Sequence, residues 1–339
     1  MQVEIWKNAI TWDTFVEAHP NACNYHRWCW REVIEDTFGH KPYYLAAVEN
    51  GTMVGALPLF GIQTRLFGCS LVSIPFFTYG GILTDRSDVQ DELLKMAAEI
   101  AREINAKQVE LRHVDERGGW PHVCSKVTME MTLPSTPDEY LKALGSGMRK
   151  KVRYASRHSL VPQWGGIDLV PDFYDVFAAN MRDLGTPVYP ISFFINQIRR
   201  SPQTIRILLL REGRRAAFAA FLSSFRSKLE LPWAASLAPA REKYSQLPLY
   251  WQFIEWAILN GYTKLDLGRC TPNSGPHRFK HHWNCVERAL NWQYWHSPGV
   301  SAGQLRPENP KYQLAIALWK RLPLAVANTV GPRIVRGLP

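Results

Sequence analysis

The chain has 339 residues, 46% apolar and 21% charged, with 40 Lys and Arg against 30 Asp and Glu. That length accommodates two domains, each with its own core, and the composition excludes a disordered or low-complexity chain. A formal charge of +10 favours anionic partners but does not choose among nucleic acid, phosphorylated metabolites and acidic lipid.

The six cysteines (Cys23, Cys29, Cys69, Cys124, Cys270 and Cys285) form no CxxC pair, and the opening "MQVEIWKNAITWD" has neither a basic n-region nor an apolar h-region. The expectation is a cytoplasmic protein with reduced thiols. No stretch reaches the roughly 18 apolar residues of a membrane span. The best candidate, "YQLAIALWKRLPLAVANTVG", is broken by Lys320, Arg321 and Pro323.

The first predicted element is a helix at "YHRWCWREVIEDTF". A strand follows at "YYLAAVE", then Asn50 and Gly51, a strong hairpin signal, and a returning strand at "TMVGALPLF". A third strand is expected at "CSLVSIPFF". Next, "DELLKMAAEIAREIN" sets Leu93, Leu94, Ala97, Ala98, Ile100, Ala101 and Ile104 along one helical face, and "KQVELRHV" alternates as a strand.

The same order returns later in the chain. A helix at "DFYDVFAANMRDL" precedes the strand "TIRILLLR", a turn at Glu212 and Gly213, and the strands "RAAFAAFLSSF" and "KLELPWAASL". The helix "LPLYWQFIEWAILNG" and the strand "TKLDLGRC" complete it. Two copies of one mixed α/β unit account for this pattern better than one large sheet. The copies join where Pro134 and Pro137 punctuate and a helix begins. The expected division is 1–138, 139–300 and an appendix, 301–339.

Two features of the second copy bear on chemistry. Pro232 interrupts "KLELPWAAS", removing a backbone donor and confining that strand to an edge or a bulge. In "GSGMRKKVRYASRHSL", Arg149, Arg153 and Arg157 recur every fourth residue beside Lys150 and Lys151, and no acidic residue occurs from Leu141 to Ile167. Clustered cations of this kind are an anion footprint, so Arg149, Lys150, Arg153 and Arg157 are expected to bind substrate phosphate.

The unit order resembles the GNAT acyltransferase fold, and two units in tandem resemble the Fem-type ligases that add amino acids to peptidoglycan precursors from aminoacyl-tRNA. "GSGMRKKVRYASRHSL" is similar to the basic helix opening the second Fem domain, and "MRDLGTPVYPISFF" and "LDLGRCTPNSGPHRFKHHWN" are similar to its later motifs. The nearest resemblance is to the FemAB-like group associated with exosortase and PEP-CTERM systems, including an ending like "RLPLAVANTVGPRIVRGLP".

The resemblance implies two tandem GNAT-like α/β domains with mixed sheets, and the second is expected to be catalytic. Unlike some Fem ligases, the chain is expected to have no long helical arm, because "SFFINQIRRSPQ" offers one short helix. The link "APAREKYSQLP" lacks the glycines with which coenzyme A-dependent enzymes cradle pyrophosphate, so the donor stays open between aminoacyl-tRNA and an acyl-CoA. No tightly bound cofactor is expected.

Acyl transfer to an amine needs a polarised carbonyl, a stabilised oxyanion and a deprotonated amine. Lys280 is the candidate for the first two tasks, and the Fem resemblance places the Phe279–Lys280 pair at the reaction centre. His277 is the candidate proton acceptor, since imidazole titrates in the useful range. Arg269 has the donor fork that pins a phosphate or carboxylate, with an internal ion pair to Asp266 as the alternative. Tyr189, within "MRDLGTPVYPISFF", is carried over as substrate-binding. His277, His281, His282, Cys285 and Cys270 match no standard zinc spacing, so no metal site is expected.

The implied activity is acyl or aminoacyl transfer onto an amine of a phosphate-bearing cell-envelope or exopolysaccharide precursor. The alternative is a non-catalytic GNAT-like module for a lipid-linked or polyanionic partner. Transfer RNA is a further candidate partner, and DNA is not. The appendix either packs on the first domain or, through residues 312–338, lies on the inner face of an anionic membrane.

Overall fold

The computed structural model describes residues 1–64, 68–156, 158–300 and 310–338. The chain divides into two compact units. The first comprises Met1–Ser125, Ala289–Asn309 and Arg333–Pro339, and the second Lys126–Arg288 and Pro310–Pro332. The sequence pattern suggests linear cuts at 138/139 and 300/301; the compact units instead draw on separated stretches of chain.

In the first unit, β1 (Gln2–Ile5), β2 (Lys41–Glu49), β3 (Thr52–Thr64) and β4 (Gly68–Val72) pair antiparallel in turn, and β4 pairs parallel with β5 (Ala106–His113). Asn50 and Gly51 turn the β2–β3 hairpin with φ of 50° and 78°, as their sequence signal predicts. Helix α1 (Ala9–Ala18) sets Trp12 against Tyr44, which in turn meets Phe60, and α2 (Cys29–Phe38) sets Trp30 against Tyr25 and Phe77. Helix α3 (Ser87–Glu103) buries Leu93, Ala97 and Ala101 with Leu45, Leu57 and Val109. Gly55 permits that approach, because a Cβ there would lie 2.5 Å from Val89.

The expected strand over "CSLVSIPFF" ends early. β4 stops at Val72, and the chain turns through Ile74 and Phe76, whose φ values are 48° and 75°. The buried Arg112 guanidinium imposes the turn, donating to the carbonyl of Phe77 at 2.6 Å.

The second unit begins within β6 (His122–Thr132) and continues with α4 (Pro137–Ala143) and α5 (Ser146–Ala155). It continues through β7 (Val161–Gly165), α6 (Val170–Leu184), α7 (Ile191–Arg200), β8 (Ile205–Glu212), β9 (Arg215–Phe225) and β10 (Lys228–Ser236). Then come α8 (Ala238–Tyr244), α9 (Leu247–Leu259), β11 (Lys264–Cys270) and α10 (Gly275–His281). Strands β7 to β10 pair antiparallel in turn, β10 pairs parallel with β11, and β11 antiparallel with β6. This repeats the first unit's order.

The strand that closes each unit comes from beyond the other copy. β6 follows the first copy in sequence yet lies beside β11; β12 (Val286–His296) follows the second copy yet lies beside β5. β7 is followed directly by a helix, and β8 begins soon after α7 ends, so no helical arm intervenes.

Helix α9 is apolar on most sides and is buried with Leu144, Val152, Leu265 and Trp283. On α6 and α7, Phe173, Phe177 and Phe194 pack with Phe221 of β9. The final helices are α11 (Pro310–Trp319) and α12 (Leu324–Val335). Pro332 lies inside α12, where only the last turn follows it. Gly185 lies against Ile316, and Gly331 against Val188, within the second unit. Among the described residues, no helix is long and apolar enough to cross a membrane.

Candidate active site

The centre of the second unit is a parting of two parallel strands. β10 and β11 are in register over Lys228–Glu230 and Lys264–Asp266 only. The register of β10 against β9 then shifts between Glu230 and Trp233, around Pro232, which has no N–H to donate. Gly268 has φ of 78°, and a Cβ there would lie 3.0 Å from the Leu231 carbonyl oxygen.

The closed end of the pair is locked by charge. Lys228 Nζ lies 2.6 Å from Glu130 and 3.2 Å from Asp266. Burial opposes the Lys228 charge, but Asp266, Glu230 and Glu130 outweigh it and hold the ammonium above its usual range. Asp266 also accepts from the Thr128 hydroxyl at 2.6 Å and from the Gly268 N–H at 2.8 Å.

Beyond the parting, half-buried Trp233 faces an aromatic group of Tyr189, Phe193, Phe194 and Phe221. Tyr189 is itself half-buried, 5.8 Å from Trp233 between ring centroids, and its carbonyl accepts from the Tyr174 hydroxyl. The sequence-predicted Tyr189 thus lies beside the displaced strand.

Lys280, Phe279 and His277 lie on α10. Its start is set by Ser274, whose hydroxyl accepts from the His277 N–H, and by Pro276 in the first turn. Lys280 is buried, and its ammonium donates to the carbonyls of Gly268 (2.7 Å) and Arg269 (3.3 Å). An ammonium has three protons, and among the described residues the third has no protein acceptor. Burial lowers the Lys280 pKa; Cys270, Asp266 and Cys285 counteract it, and Arg269 adds to it. Burial raises the Cys270 thiol and pushes Cys285 up to about 12.

Phe279 packs edge-on against Tyr250 at 4.8 Å and lies 6.3 Å from Trp283, which makes it a wall of the core beneath α10. Both ring nitrogens of His277 are engaged. Nδ1 accepts from the Asn273 N–H at 3.2 Å, and Nε2 lies 2.9 Å from Glu287. In this arrangement His277 anchors α10. His281 Nε2 is 2.7 Å from the same Glu287 oxygen, and hydrogen bonds from His281 and His277 hold that carboxyl below its ordinary range. Neither His282 nor the two cysteines joins this group.

Arg269 is exposed on β11, and its charge is felt by Lys280. On α5, Met148, Val152 and Ala155 face the core, while Lys150, Lys151 and Arg153 are exposed and Arg149 is half-exposed. Among the described residues these four cations have no ion-pair partner. Arg157 lies outside the described residues. Lys280, Arg269, Phe279 and His277 therefore gather at the end of β11, with Tyr189 beside β10 and the cations of α5 on a separate helix. Sequence reasoning missed Trp233, Lys228 and Glu287. The signals available were Pro232 next to Trp233 and the four-residue spacing of His277 and His281.

Residues 146–281, which contain both strands of the parting and α10, match a family described as an acetyltransferase (GNAT) domain. Among curated proteins, none matches the chain. Among solved structures it is similar to FemX, at 15% identity and a TM-score of 0.67 over 86% of this chain and 97% of that one. It is also similar to a tandem GNAT protein from the clavulanic acid biosynthesis pathway, at 11% identity and a TM-score of 0.56 over 89% and 99%. The C-terminal domain of an Agrobacterium fabrum protein described as a lysylphosphatidylglycerol synthetase gives 14% identity and 0.54 over 86% and 90%. The fold is a mixed α/β fold of two GNAT-like units in tandem, and the second unit carries the recognised GNAT domain.

Proposed function

We propose that this chain is an acyl- or aminoacyl-transferase that delivers its cargo to an amine of a phosphate-bearing envelope or exopolysaccharide precursor. The observation that carries the reading is the parting of β10 and β11 within the GNAT-like segment, with the Lys280 ammonium docked just beyond the last paired residues. A buried donor with one uncommitted proton suits a developing oxyanion, because it needs no reorganisation and acts where solvent screening is weak. Trp233 and Tyr189 supply an apolar wall for the substrate, and Arg269 with Arg149, Lys150 and Arg153 supplies charge for its phosphates.

The likeness to FemX and to a protein described as a lysylphosphatidylglycerol synthetase supports an aminoacyl cargo on an envelope molecule. The donor in this reading is aminoacyl-tRNA, with an acyl-CoA as the competing source. A cytoplasmic site at the inner face of the membrane fits such an acceptor, and the resemblance to the exosortase-associated group supports an exopolysaccharide context.

The test incubates the purified full chain with labelled aminoacyl-tRNA or labelled acyl-CoA and amine-bearing, pyrophosphate-linked sugar acceptors. Transfer from one donor is the expected result. Binding of the acceptor without transfer from either donor would replace the enzyme with a binding module.

A further inference from the structure

We propose that His277, His281 and Glu287 form a binding site for a divalent transition-metal ion of the zinc class. The two histidines stand four apart on α10, so their rings share one helix face, and their Nε2 atoms are 3.2 Å apart. Glu287 at the start of β12 brings a carboxylate oxygen to 2.9 Å from one and 2.7 Å from the other. Three ligand atoms this close leave a point about 2 Å from each, the bond length zinc makes to imidazole nitrogen and carboxylate oxygen. Two imidazoles and one carboxylate are a donor set for zinc and its neighbours in the first transition row, whereas magnesium and calcium prefer oxygen throughout.

Access and framework differ among the three. The side chains of His281 and Glu287 are 42% and 39% exposed, which gives the ion an entry path and leaves its remaining positions to water or an incoming group. His277 is buried at 6% and fixed by the cap of α10, so one ligand is held in advance. Its ligation through Nε2 moves the ring proton to Nδ1 and gives up the 3.2 Å contact from the Asn273 N–H, while the hydrogen bonds of both histidines to Glu287 are exchanged for bonds to the ion. Once bound, the ion would join α10 to the first residues of β12 and restrain the helix that carries Lys280. This inference stands apart from the transferase reading.

The experiment uses the full chain after treatment with EDTA, titrated with Zn²⁺ by calorimetry and with Co²⁺ by visible absorption. One equivalent of each ion is expected, and Co²⁺ should show the intense bands of a four- or five-coordinate nitrogen and oxygen site. His281→Ala and Glu287→Gln, both at exposed positions, should each weaken Zn²⁺ at least about tenfold without lowering the melting temperature of the metal-free protein. His282→Ala should bind like the parent. No saturable binding of either ion, or binding equally tight in His281→Ala and Glu287→Gln, would overturn the assignment; the latter would move the ion elsewhere, for instance to Cys270 and Cys285.

Discussion

Lys280 Nζ donates to the carbonyl oxygen of Gly268 across 2.7 Å, tying a buried cation to the stretch of β11 that has just left its partner strand. The side chain therefore has both a structural and a chemical consequence, and one substitution separates them. Lys280→Met keeps most of the packing volume and removes the charge. Transfer should fall about a hundredfold to a thousandfold, and the loss of two hydrogen bonds from a charged donor should cost about 1.5–3 kcal/mol each at most. Kinetics on protein shown to be folded by circular dichroism make the check; parental turnover would take Lys280 out of the reaction.

The cations of α5 should act on binding alone. Replacing Arg149, Lys150 and Arg153 together by Ala should raise the acceptor KM and leave kcat nearly unchanged, the pattern of an interaction made equally in ground and transition states. The parent's KM should also climb with ionic strength, since charges exposed to solvent are screened over about 10 Å at 0.1 M salt. A fall in kcat at constant KM would place these residues in the chemical step.

Gly268→Ala tests the shape of the parting. The backbone there has φ of 78°, and the new methyl would meet the Leu231 oxygen at 3.0 Å. Left-handed backbone costs a side chain about 1–2 kcal/mol, so urea unfolding should shift by at least that amount. Unchanged stability would mean that the two strands yield more easily than their geometry implies.

The first unit should be acid-sensitive. Burial lowers His26 and His40 to about 4 and His113 to about 3. In the unfolded chain the same rings take up protons near pH 6.5, so between about pH 6.5 and 4 the unfolded state binds more protons. Stability conferred by the neutral rings is present above pH 6.5 and declines as the pH falls, by up to about 1.4 kcal/mol per pH unit for each histidine. Melting temperatures from pH 7 to 4 should show this slope, and His113→Gln should flatten it. An equal slope in the variant would remove His113 from the linkage.

Much of the architecture is legible in local pattern. The turns at Asn50–Gly51 and Glu212–Gly213, each followed by an apolar run, mark two hairpins at corresponding places in the copies, and the four-residue spacing of Leu93, Ala97 and Ala101 marks α3. Features that depend on distant partners are not. "CSLVSIPFF" reads as continuous strand until Arg112, far along the chain, holds Ile74 and Phe76 in a turn. The helix at Gly275–His281 had local signals in Ser274 and Pro276, but its meaning rests on where Lys280 reaches, which only the bulged β11 decides. Phe279 illustrates the same limit, because its role as a core wall depends on Tyr250 of α9.

The traded closing strands carry a consequence for how this gene product can be dissected. β6 precedes the basic helix in the chain yet is hydrogen-bonded to β11, and β12 comes after every catalytic candidate yet is hydrogen-bonded to β5. A scissile point anywhere between Thr132 and Val286 would strip one fragment of an edge it needs and burden the other with a ribbon that has no home. Completion of the first unit's sheet should accordingly wait for synthesis to pass His296, and libraries of split or circularly rearranged versions should recover function only when both ribbons travel with their adopted neighbours.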